Sequence, residues 1–495
     1  MVVPAVRIRR ANDLGIRARG RHVLYWMIGA RRTTWNHALD HAIASARVEG
    51  VPLIVLEPLR VGYPWACDRF HAFVVQGMAD NQQAFAKAGV TYLPYVEGVA
   101  GAGSGLLEAL AAHAKLVITD EQPGFFQPRM VAAAAAKLDV RLDVVDSCGV
   151  LPLRAFDRGF PTASSFRRQV QRYLAASPAS PAAAIPLTRL PHELRDGEIP
   201  GPILRRWKPA TAELLTGSAG SLAALPLDHA IAPVTYRGGS IAAATQFASF
   251  LTSGIARYGE ERSDPDAGCA SELSPYLHFG HIAAEEIVTT LLDRVDWDPS
   301  RIAGAKPTGS REGWWGVEPN TESFLDEIIT WRELGYGFCY HRKDFGQWTA
   351  LPTWARATLD KHAADPRPEV YTRKVMEAAQ TADPIWNAAQ RQLVAEGRIQ
   401  NYLRMLWGKK ILEWSPSPKA ALATLIELNN KYAVDGRDPN SYSGILWTLG
   451  LFDRAWGPER PIFGTIRYMT SASTKRKLKL KAYLARWGDT RTLFD

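Results

Sequence analysis

Three tryptophans lie close together in a part of the sequence that is rich in basic residues. The segment DPIWNAAQRQLVAEGRIQNYLRMLWGKKILEW, residues 383–414, contains Trp386, Trp407 and Trp414. Indole rings at this spacing either fill a hydrophobic core or, where they come into contact, form a path for electrons. The pattern alone favours the core. Distinguishing the two interpretations requires knowing which helices carry these rings.

Local signals divide this segment into two helices. Asp383, followed by a proline, is a typical N-cap, and Gly397 is a typical helix end. A second helix is predicted from about Gln400 to Trp414, where the sequence SPSP stops it. Because Trp407 lies seven residues before Trp414, the two share one helix face, and the tryptophan of the first helix could pack beside both. The spacing permits a chain of neighbouring indoles without proving one.

Length, charge and cysteine content set limits on the function. The chain has 495 residues, 46% of them apolar, and a net charge of +9. It can therefore bury two large cores, and its charge favours a polyanionic partner such as nucleic acid. No apolar run approaches the about 18 residues that span a membrane, so we expect a cytoplasmic protein. The cysteines lack CxxC or Cys/His ligand spacing, which favours reduced thiols over disulfides or a zinc site; they are Cys67, Cys148, Cys269 and Cys339.

The first third of the chain alternates between strand-like and helix-like segments, which predicts a doubly wound parallel sheet, an α/β fold. The start, residues 1–21, is interpreted as a loose lead-in. GAGSG at 101–105 is either a phosphate loop or, by preference, a glycine-rich turn. The predicted strands are 22–27, 51–57, 90–96, 115–121 and 141–147.

Composition changes in the middle of the chain. SPASPAAAIP (177–186) and TGSAGSLAALPLDHAIAP (216–233) are typical of mobile surface connections. From about Gly238 the pattern is helical almost to the end, and twelve of the sixteen tryptophans lie between 297 and 487. We therefore predict an α/β domain at 1–175, a linker at 176–235 and an all-α domain at 236–495.

Several long motifs occur in order: SELSPYLHFGHIAAEEIV (271–288), FLDEIITWRELGYGFCYH (324–341), the segment 383–414 and NNKYAVDGRDPNSYSGILW (429–447). Together they resemble the flavin-binding domain of the photolyase/cryptochrome family, most closely the class II cyclobutane pyrimidine dimer photolyases. The N-terminal VLYWMIGARR is similar to the antenna domain of that class. The resemblance implies a Rossmann-like antenna domain, a helical domain that holds FAD, and light-driven repair of pyrimidine dimers in UV-damaged DNA by a monomer.

The resemblance also implies which residues hold the cofactors. Arg262 would bond a flavin phosphate and Asn429 would face flavin N5, while Asn430 departs from the usual aspartate. By their pattern alone, these stretches are a helix start and an Asp-Gly turn. An 8-hydroxydeazaflavin type antenna chromophore is a further expectation. The full set implied for FAD is Tyr258, Arg262, Ala270, Ser271, Glu272, Leu273, Ser274, Asn429, Asp435, Gly436 and Asp438.

A second implied group of residues would act on the lesion. Glu327 matches the acid that bonds the pyrimidine carbonyls, Trp331 and Trp447 match the pocket walls, and Met405 would pack against the dimer, beside Asn429. A carboxyl group in a desolvated aromatic pocket has a raised pKa and can donate a hydrogen bond. The alternative for Glu327 is an exposed glutamate on an ordinary amphipathic helix.

The three tryptophans of the first motif match an electron-transfer chain that runs from flavin to Trp407, then Trp386, then surface Trp414. For the DNA, Arg454 and Trp456 match residues that intrude into the duplex after the dimer is flipped out, although the loop before them is one residue shorter than usual. Phosphate contacts and a plain solvated helix face are alternatives for Arg467, Lys475, Arg476 and Lys477.

Other functions remain open at this stage. A cryptochrome-like photoreceptor would use the same flavin and tryptophans for signalling, and a photolyase could act on another UV lesion. Ile399-Gln400-Asn401 stands where class II enzymes usually read Met-His-Gly, so the substrate preference could differ. A flavin-free helical DNA-binding protein would leave the ordered motifs unexplained. The pocket residues favour repair.

Overall fold

The computed structural model describes residues 3–176, 181–302 and 304–489. Two compact units are present. The first comprises the described residues of 1–157, 177–248 and 272–298, and the second those of 158–176, 249–271 and 299–495. The domain boundaries drawn from the sequence stay predictions. No helix among the described residues is long and apolar enough to cross a membrane.

The helices account for most of the second unit and flank the sheet of the first. In chain order they are α1 His37–Glu49, α2 Asp68–Ala88, α3 Leu106–Ala111, α4 Gln127–Lys137, α5 Ala163–Ala176, α6 Gly201–Arg206, α7 Ala219–Leu222, α8 Ser240–Ser249, α9 Tyr258–Glu261, α10 Ser274–His278, α11 Ala284–Asp293, α12 Pro319–Leu325, α13 Arg332–His341, α14 Thr353–Lys361, α15 Arg373–Glu377, α16 Pro384–Glu396, α17 Asn401–Trp414, α18 Pro418–Tyr432, α19 Pro439–Trp447, α20 Ser471–Lys477 and α21 Lys481–Trp487.

The first unit contains a six-stranded sheet with the order β1-β6-β5-β2-β3-β4. All neighbours pair in parallel except β1 with β6, so the predicted doubly wound sheet is confirmed. The interpretation of the start as a loose lead-in is wrong for β1. The short edge strand is rich in arginine, and Arg9 bonds Glu121 at 2.7 Å, so the apolar strand signal is absent. The strands are β1 Ile8–Arg10, β2 His22–Trp26, β3 Leu53–Leu59, β4 Thr91–Val96, β5 Ala114–Asp120 and β6 Leu142–Val145.

Both faces of this sheet are buried, which explains its continuous apolar strands. Leu24 and Val117 belong to the core on one face, and Val23 and Tyr25 to the core on the other. GAGSG forms a turn before α3, and its first and last glycines have φ of +84° and +87°. The prediction of a glycine-rich turn is thereby confirmed, since this conformation suits glycine.

The segment between the sheet and the later helices packs onto the first unit. Leu187 and Leu190 belong to the core beside α1, and Leu222 is fully buried against α2 residues such as Val75. Part of the first predicted connection, 177–180, lies outside the described residues. The second connection carries α7 rather than irregular chain alone.

The paired helices predicted for 383–414 are confirmed in the second unit. Asp383 caps α16 by accepting hydrogen bonds from the amides of Ile385 and Trp386, both at 3.1 Å. Gly397 ends it with φ of +65°. Gln400 caps α17, whose last residue is Trp414. The signals at Asp383 and Gly397 were sufficient to predict α16 because each acts locally, whereas the cap at Gln400 was not predicted.

A buried ion cluster ties the N-terminus to the rest of the first unit. Arg7, 2% exposed, bonds Glu285 at 2.8 Å, and His37 Nε2 lies 2.9 Å from the same carboxylate oxygen. Burial by itself raises the pKa of Glu285, but the charges of Arg7 and His37 outweigh burial and hold that pKa below its ordinary value. This contribution to stability is therefore present at neutral pH and is lost as the pH falls through the lowered pKa.

Replacing Glu285 by alanine would leave Arg7 buried without its carboxylate. We expect Glu285→Ala to lower the free energy of unfolding by about 3–5 kcal/mol, measured by urea denaturation at pH 7. Glu193, exposed in the same unit, provides the control, and Glu193→Ala should change this free energy by less than about 0.5 kcal/mol. Equal effects of the two substitutions would contradict this account of the cluster.

Candidate functional site

A π-helical turn, Asp326–Trp331, joins α12 to α13 in the second unit. Turns of this kind are rare and often occur at functional sites. Asp326 is buried and bonds Arg167 at 2.7 and 2.9 Å. Glu327 and Trp331, four residues apart, are each half-buried. The turn therefore brings a carboxylate and an indole to a partly accessible surface.

Glu327 lies beside a cation and an aromatic ring. The Arg262 guanidinium donates to its Oε1 and lies 5.5 Å from the Tyr258 ring centroid. Burial raises the pKa of the Glu327 carboxyl, and the charge of Arg262 partly opposes this shift. Gln400 fixes the arrangement by donating to the Arg262 carbonyl at 2.6 Å. A raised pKa favours the protonated carboxyl, which can donate a hydrogen bond as well as accept one.

A second polar network lies where α17, α18 and α19 meet. Arg404 donates to both oxygens of Asp435, at 3.0 and 3.1 Å, and to the side-chain oxygens of Asn429 and Ser441. The Asn429 amide donates to Ser441 Oγ at 2.8 Å. A bidentate arginine–carboxylate pair fixes direction as well as distance. Sequence reasoning missed Arg404 and Ser441. Arg404 could have been found from its position three residues before Trp407, because the sequence had already assigned that helix to the site.

The two aspartates assigned to the cofactor differ in role. Asp435 belongs to the Arg404 network. Asp438 accepts from Tyr336 OH and caps α19 at the Asn440 amide, both at 2.8 Å. Asn430, where the resemblance implies an aspartate, is fully buried: its Oδ1 accepts from the Arg437 amide at 3.0 Å and its Nδ2 donates to Tyr442 OH at 3.1 Å. The asparagine therefore uses both its acceptor and its donor in this loop.

The three tryptophans of the 383–414 segment are in contact. The rings of Trp386 and Trp407 are parallel within 2°, with centroids 6.4 Å apart. Trp414 meets Trp386 edge-on at 5.4 Å. All three are buried, and Trp414 is 3% exposed, which differs from its expected surface position. The ring of the half-buried Tyr371 covers Trp414 at 5.3 Å.

Cations and aromatic rings alternate near the C-terminal end of α19. Trp456 lies 4.5 Å from the Arg454 guanidinium and 4.0 Å from that of Arg467. Arg467 also bonds Asp453 at 2.7 and 3.0 Å. Trp447 and Trp456 are half-buried. The cluster therefore presents partly accessible tryptophans and guanidinium groups at the surface.

No protein-family model matches the chain. A deoxyribodipyrimidine photo-lyase of Methanothermobacter thermautotrophicus is 33% identical over 486 residues, which cover 98% of this chain and 98% of that protein. One from Oryza sativa subsp. japonica is 33% identical over 487 residues, covering 94% and 87%. The chain belongs to the deoxyribodipyrimidine photo-lyase family.

Solved structures extend the likeness to the fold. A bacterial class III photolyase from Agrobacterium tumefaciens has a TM-score of 0.64 at 18% identity and covers 94% of this chain and 86% of its own. A Synechocystis cryptochrome has a TM-score of 0.68 at 15% identity, with coverage of 94% and 88%. The predicted α/β plus all-α fold of the photolyase/cryptochrome family is confirmed.

The remaining residues predicted for a photo-lyase site lie in several places. Ala270 is exposed and Ser271 half-buried in the second unit, whereas Glu272, Leu273 and Ser274 belong to the first unit. Met405 is half-buried on α17. Exposed side chains on α20 are Lys475, Arg476 and Lys477.

The polar residues of the second unit fit the flavin that the family generally binds. Such a group carries both hydrogen-bond donors and acceptors, and the network offers a carboxylate, a guanidinium and an amide. Arg404 and Asp435 remain 24% and 15% exposed, so a ligand can reach them. Gly436 keeps the loop tight, because a Cβ there would lie 2.7 Å from the Asn429 carbonyl oxygen. Among the described residues, no cluster of histidine, cysteine or carboxylates is placed to hold a metal ion.

Gln400 is predicted to matter for stability because it caps α17 and bonds the Arg262 carbonyl. We expect Gln400→Ala to cost about 0.5–2 kcal/mol in the free energy of unfolding, the usual range for a lost N-cap, measured by urea denaturation. Asn401, the exposed residue next to it, is the matched control. Asn401→Ala should have little effect, and a larger loss there than at Gln400 would contradict the capping role.

Proposed function

We propose that this protein is a light-driven DNA repair enzyme, a class II deoxyribodipyrimidine photo-lyase that splits cyclobutane pyrimidine dimers. The observation that carries the proposal is the half-buried Glu327 beside Arg262, on a π-helical turn that also presents Trp331. A protein that only sensed light would not need a carboxyl poised to bond a base carbonyl. Membership of the family supports the same activity.

FAD is the proposed cofactor, and when reduced and bound it supplies an electron to the dimer under blue or near-UV light. Tyr258, Arg262 and Ser271 would hold it, with Asn429 and Asp435 as the polar partners of its ring and ribityl groups. Arg404 keeps Asn429 and Asp435 in fixed positions by bonding to both. An antenna chromophore of the deazaflavin type stays a prediction.

The proposed pocket for the dimer is formed by half-buried side chains. Trp331 and Trp447 supply flat apolar walls, Met405 packs against the lesion, and Glu327 bonds the pyrimidine carbonyls. Burial raises the pKa of the Glu327 carboxyl and so favours its protonated form, which can donate a hydrogen bond to the dimer as negative charge develops on it. Arg262 holds the carboxyl in place.

The indole stack is the proposed electron path. The ring centroids lie 6.4 Å apart for Trp407 and Trp386 and 5.4 Å apart for Trp386 and Trp414. These contacts support electron transfer between the three rings in that order. The path would deliver electrons from the tryptophans to the bound flavin. Such a path is equally useful for repair and for light sensing. A cryptochrome-like photoreceptor is therefore the second candidate, favoured by the stack alone and not by the pocket residues.

Damaged DNA is the proposed partner. Extruding a dimer from the stack costs a few kcal/mol, less than for an intact pair because a dimer stacks poorly. Arg454 and Trp456 would occupy the space left behind. The exposed cations of α20 would contact phosphates, in which case affinity falls steeply as salt rises. Preference for this lesion over other UV lesions, a cytoplasmic location and a monomeric state stay predictions.

The pocket is tested by removing its carboxyl. We expect Glu327→Ala to slow repair of a thymine dimer by about 10–100-fold, because a hydrogen bond to a charged group is worth about 1.5–3 kcal/mol, while flavin absorbance is retained. Glu312, whose side chain is 72% exposed, is the control, and Glu312→Ala should repair normally. Normal repair by Glu327→Ala would remove this residue from the proposed mechanism.

The electron path is tested at its middle ring. We expect Trp386→Phe to reduce light-driven reduction of bound oxidised flavin at least about tenfold, because phenylalanine is a much poorer electron donor than tryptophan. Repair by chemically reduced protein should remain. Trp348, outside the stack, is the control. Absorbance of the oxidised flavin under illumination is the measurement, and unchanged photoreduction in Trp386→Phe would contradict the path.

A further inference from the structure

Lys409 is a buried lysine on α17, two residues after Trp407. Its side chain is 0% exposed, and its ammonium donates to the Thr448 carbonyl at 2.7 Å. Thr448 follows the last residue of α19, where helix carbonyls lack partners and the helix dipole is negative. A cation at this point is attracted to the end of α19.

The same ammonium lies 5.1 Å from the centroid of the Trp447 ring. Trp447 is also 5.7 Å from the Arg467 guanidinium, which is 4.0 Å from Trp456. We call Lys409, Trp447, Arg467 and Trp456, together with Asp453, the cation–indole ladder. Asp453 fixes it by accepting hydrogen bonds from Arg467 at 2.7 Å and from the Trp456 indole at 3.1 Å.

Burial of an ammonium is costly, whereas methionine would fill similar space without that cost. The charge adds two things that methionine lacks: a strong bond to the Thr448 carbonyl and an attraction to the face of Trp447. Both interactions act at the C-terminal end of α19, on Trp447 and Thr448. The mobility of the Trp447 indole is therefore coupled to the charge on Lys409.

We propose that Lys409 is a positioning residue that fixes the Trp447 indole as a wall of the lesion pocket and makes recognition of the dimer dependent on pH. The inference deepens the proposed function and rests on it. Lys409 acts through Trp447, since the contacts of its ammonium are with Thr448 and the Trp447 ring.

The direction of the pH dependence follows from the charged groups around Lys409. Burial lowers the pKa of Lys409 to about 7, with Asp453 opposing the shift and Arg467 adding to it. Burial alone raises the pKa of Asp453, but bonds from Arg467 and the Arg454 amide keep it below the ordinary value. Asp453 therefore stays ionised between pH 6 and 8.5, whereas Lys409 loses its charge, and with it its hold on Trp447, as the pH rises.

The test compares affinity for one oligonucleotide with and without a single thymine dimer, from pH 6 to 8.5, in the flavin-loaded protein in the dark. Lys409→Met removes the charge and the hydrogen bond. Lys409→Gln keeps a donor for Thr448 and removes only the charge. Lys419, an exposed lysine whose ammonium lies 5.9 Å from the Trp348 ring, gives the matched control Lys419→Met.

We expect the preference of the unmodified protein for the dimer to fall about three- to tenfold as the pH rises through 7. In Lys409→Met the preference should be low and independent of pH, in Lys409→Gln intermediate and independent of pH, and in Lys419→Met unchanged. A wild-type preference and pH profile in Lys409→Met would overturn the inference while leaving the proposed function intact. No preference for the dimer in the unmodified protein would contradict the proposed function and the inference with it.

A second measurement does not depend on the lesion. A lysine with a lowered pKa binds fewer protons in the folded than in the unfolded protein between pH 7 and its ordinary value, so stability rises with pH across that window. Lys409→Met should therefore be most stabilised relative to the unmodified protein below pH 7, and the difference should shrink towards pH 10. A difference that does not vary with pH would show that Lys409 does not titrate, and would overturn the pH dependence.

Discussion

The Arg404–Asp435 ion pair is the interaction on which the rest of the proposed site depends. It joins α17 to the loop that follows α18, and it holds Asn429 and Ser441 through the same guanidinium. Because both partners are partly buried, losing one would leave a costly uncompensated charge. α17 also carries Met405, Trp407 and Lys409, so the pair helps to position the residues proposed as a pocket wall, an electron carrier and a positioning lysine.

Tryptophan serves two purposes in the second unit, and burial separates them. Trp386 and Trp407 are buried against each other, in a low-dielectric environment that suits passage of an electron within the protein. Trp447 and Trp456 are half-buried among cations, so each stays partly accessible. Under the proposed function the same residue type is a carrier in one place and a wall in another, and helical spacing alone does not distinguish the two.

Local signals in the sequence predicted much of the fold. The parallel strands were marked by short apolar runs, α16 by Asp383 and Gly397, and the end of α17 by the SPSP that follows it, because such signals act on neighbours within a few residues. The edge strand β1 was missed because it lacks an apolar pattern and its Arg9 bonds Glu121, more than a hundred residues away.

The candidate site could likewise be predicted only in part from the sequence. Motifs in order indicated Glu327, Asn429 and the tryptophans. Arg404 and Lys409 could not be assigned, because their roles arise from partners on other helices. A lysine beside a tryptophan in sequence does not reveal that its ammonium is buried under a different indole. Such pairings depend on how α17 and α19 pack, which no short pattern contains.

Light-dependent restoration of a thymine dimer is the measurement that tests the central claim most directly. Chemically reduced protein is mixed with an oligonucleotide that carries one cyclobutane thymine dimer, and intact thymines are quantified after blue light and after an equal time in darkness. The account predicts restoration in the light alone. Bound flavin that responds to light without restoring thymines would contradict it and favour a photoreceptor or another lesion.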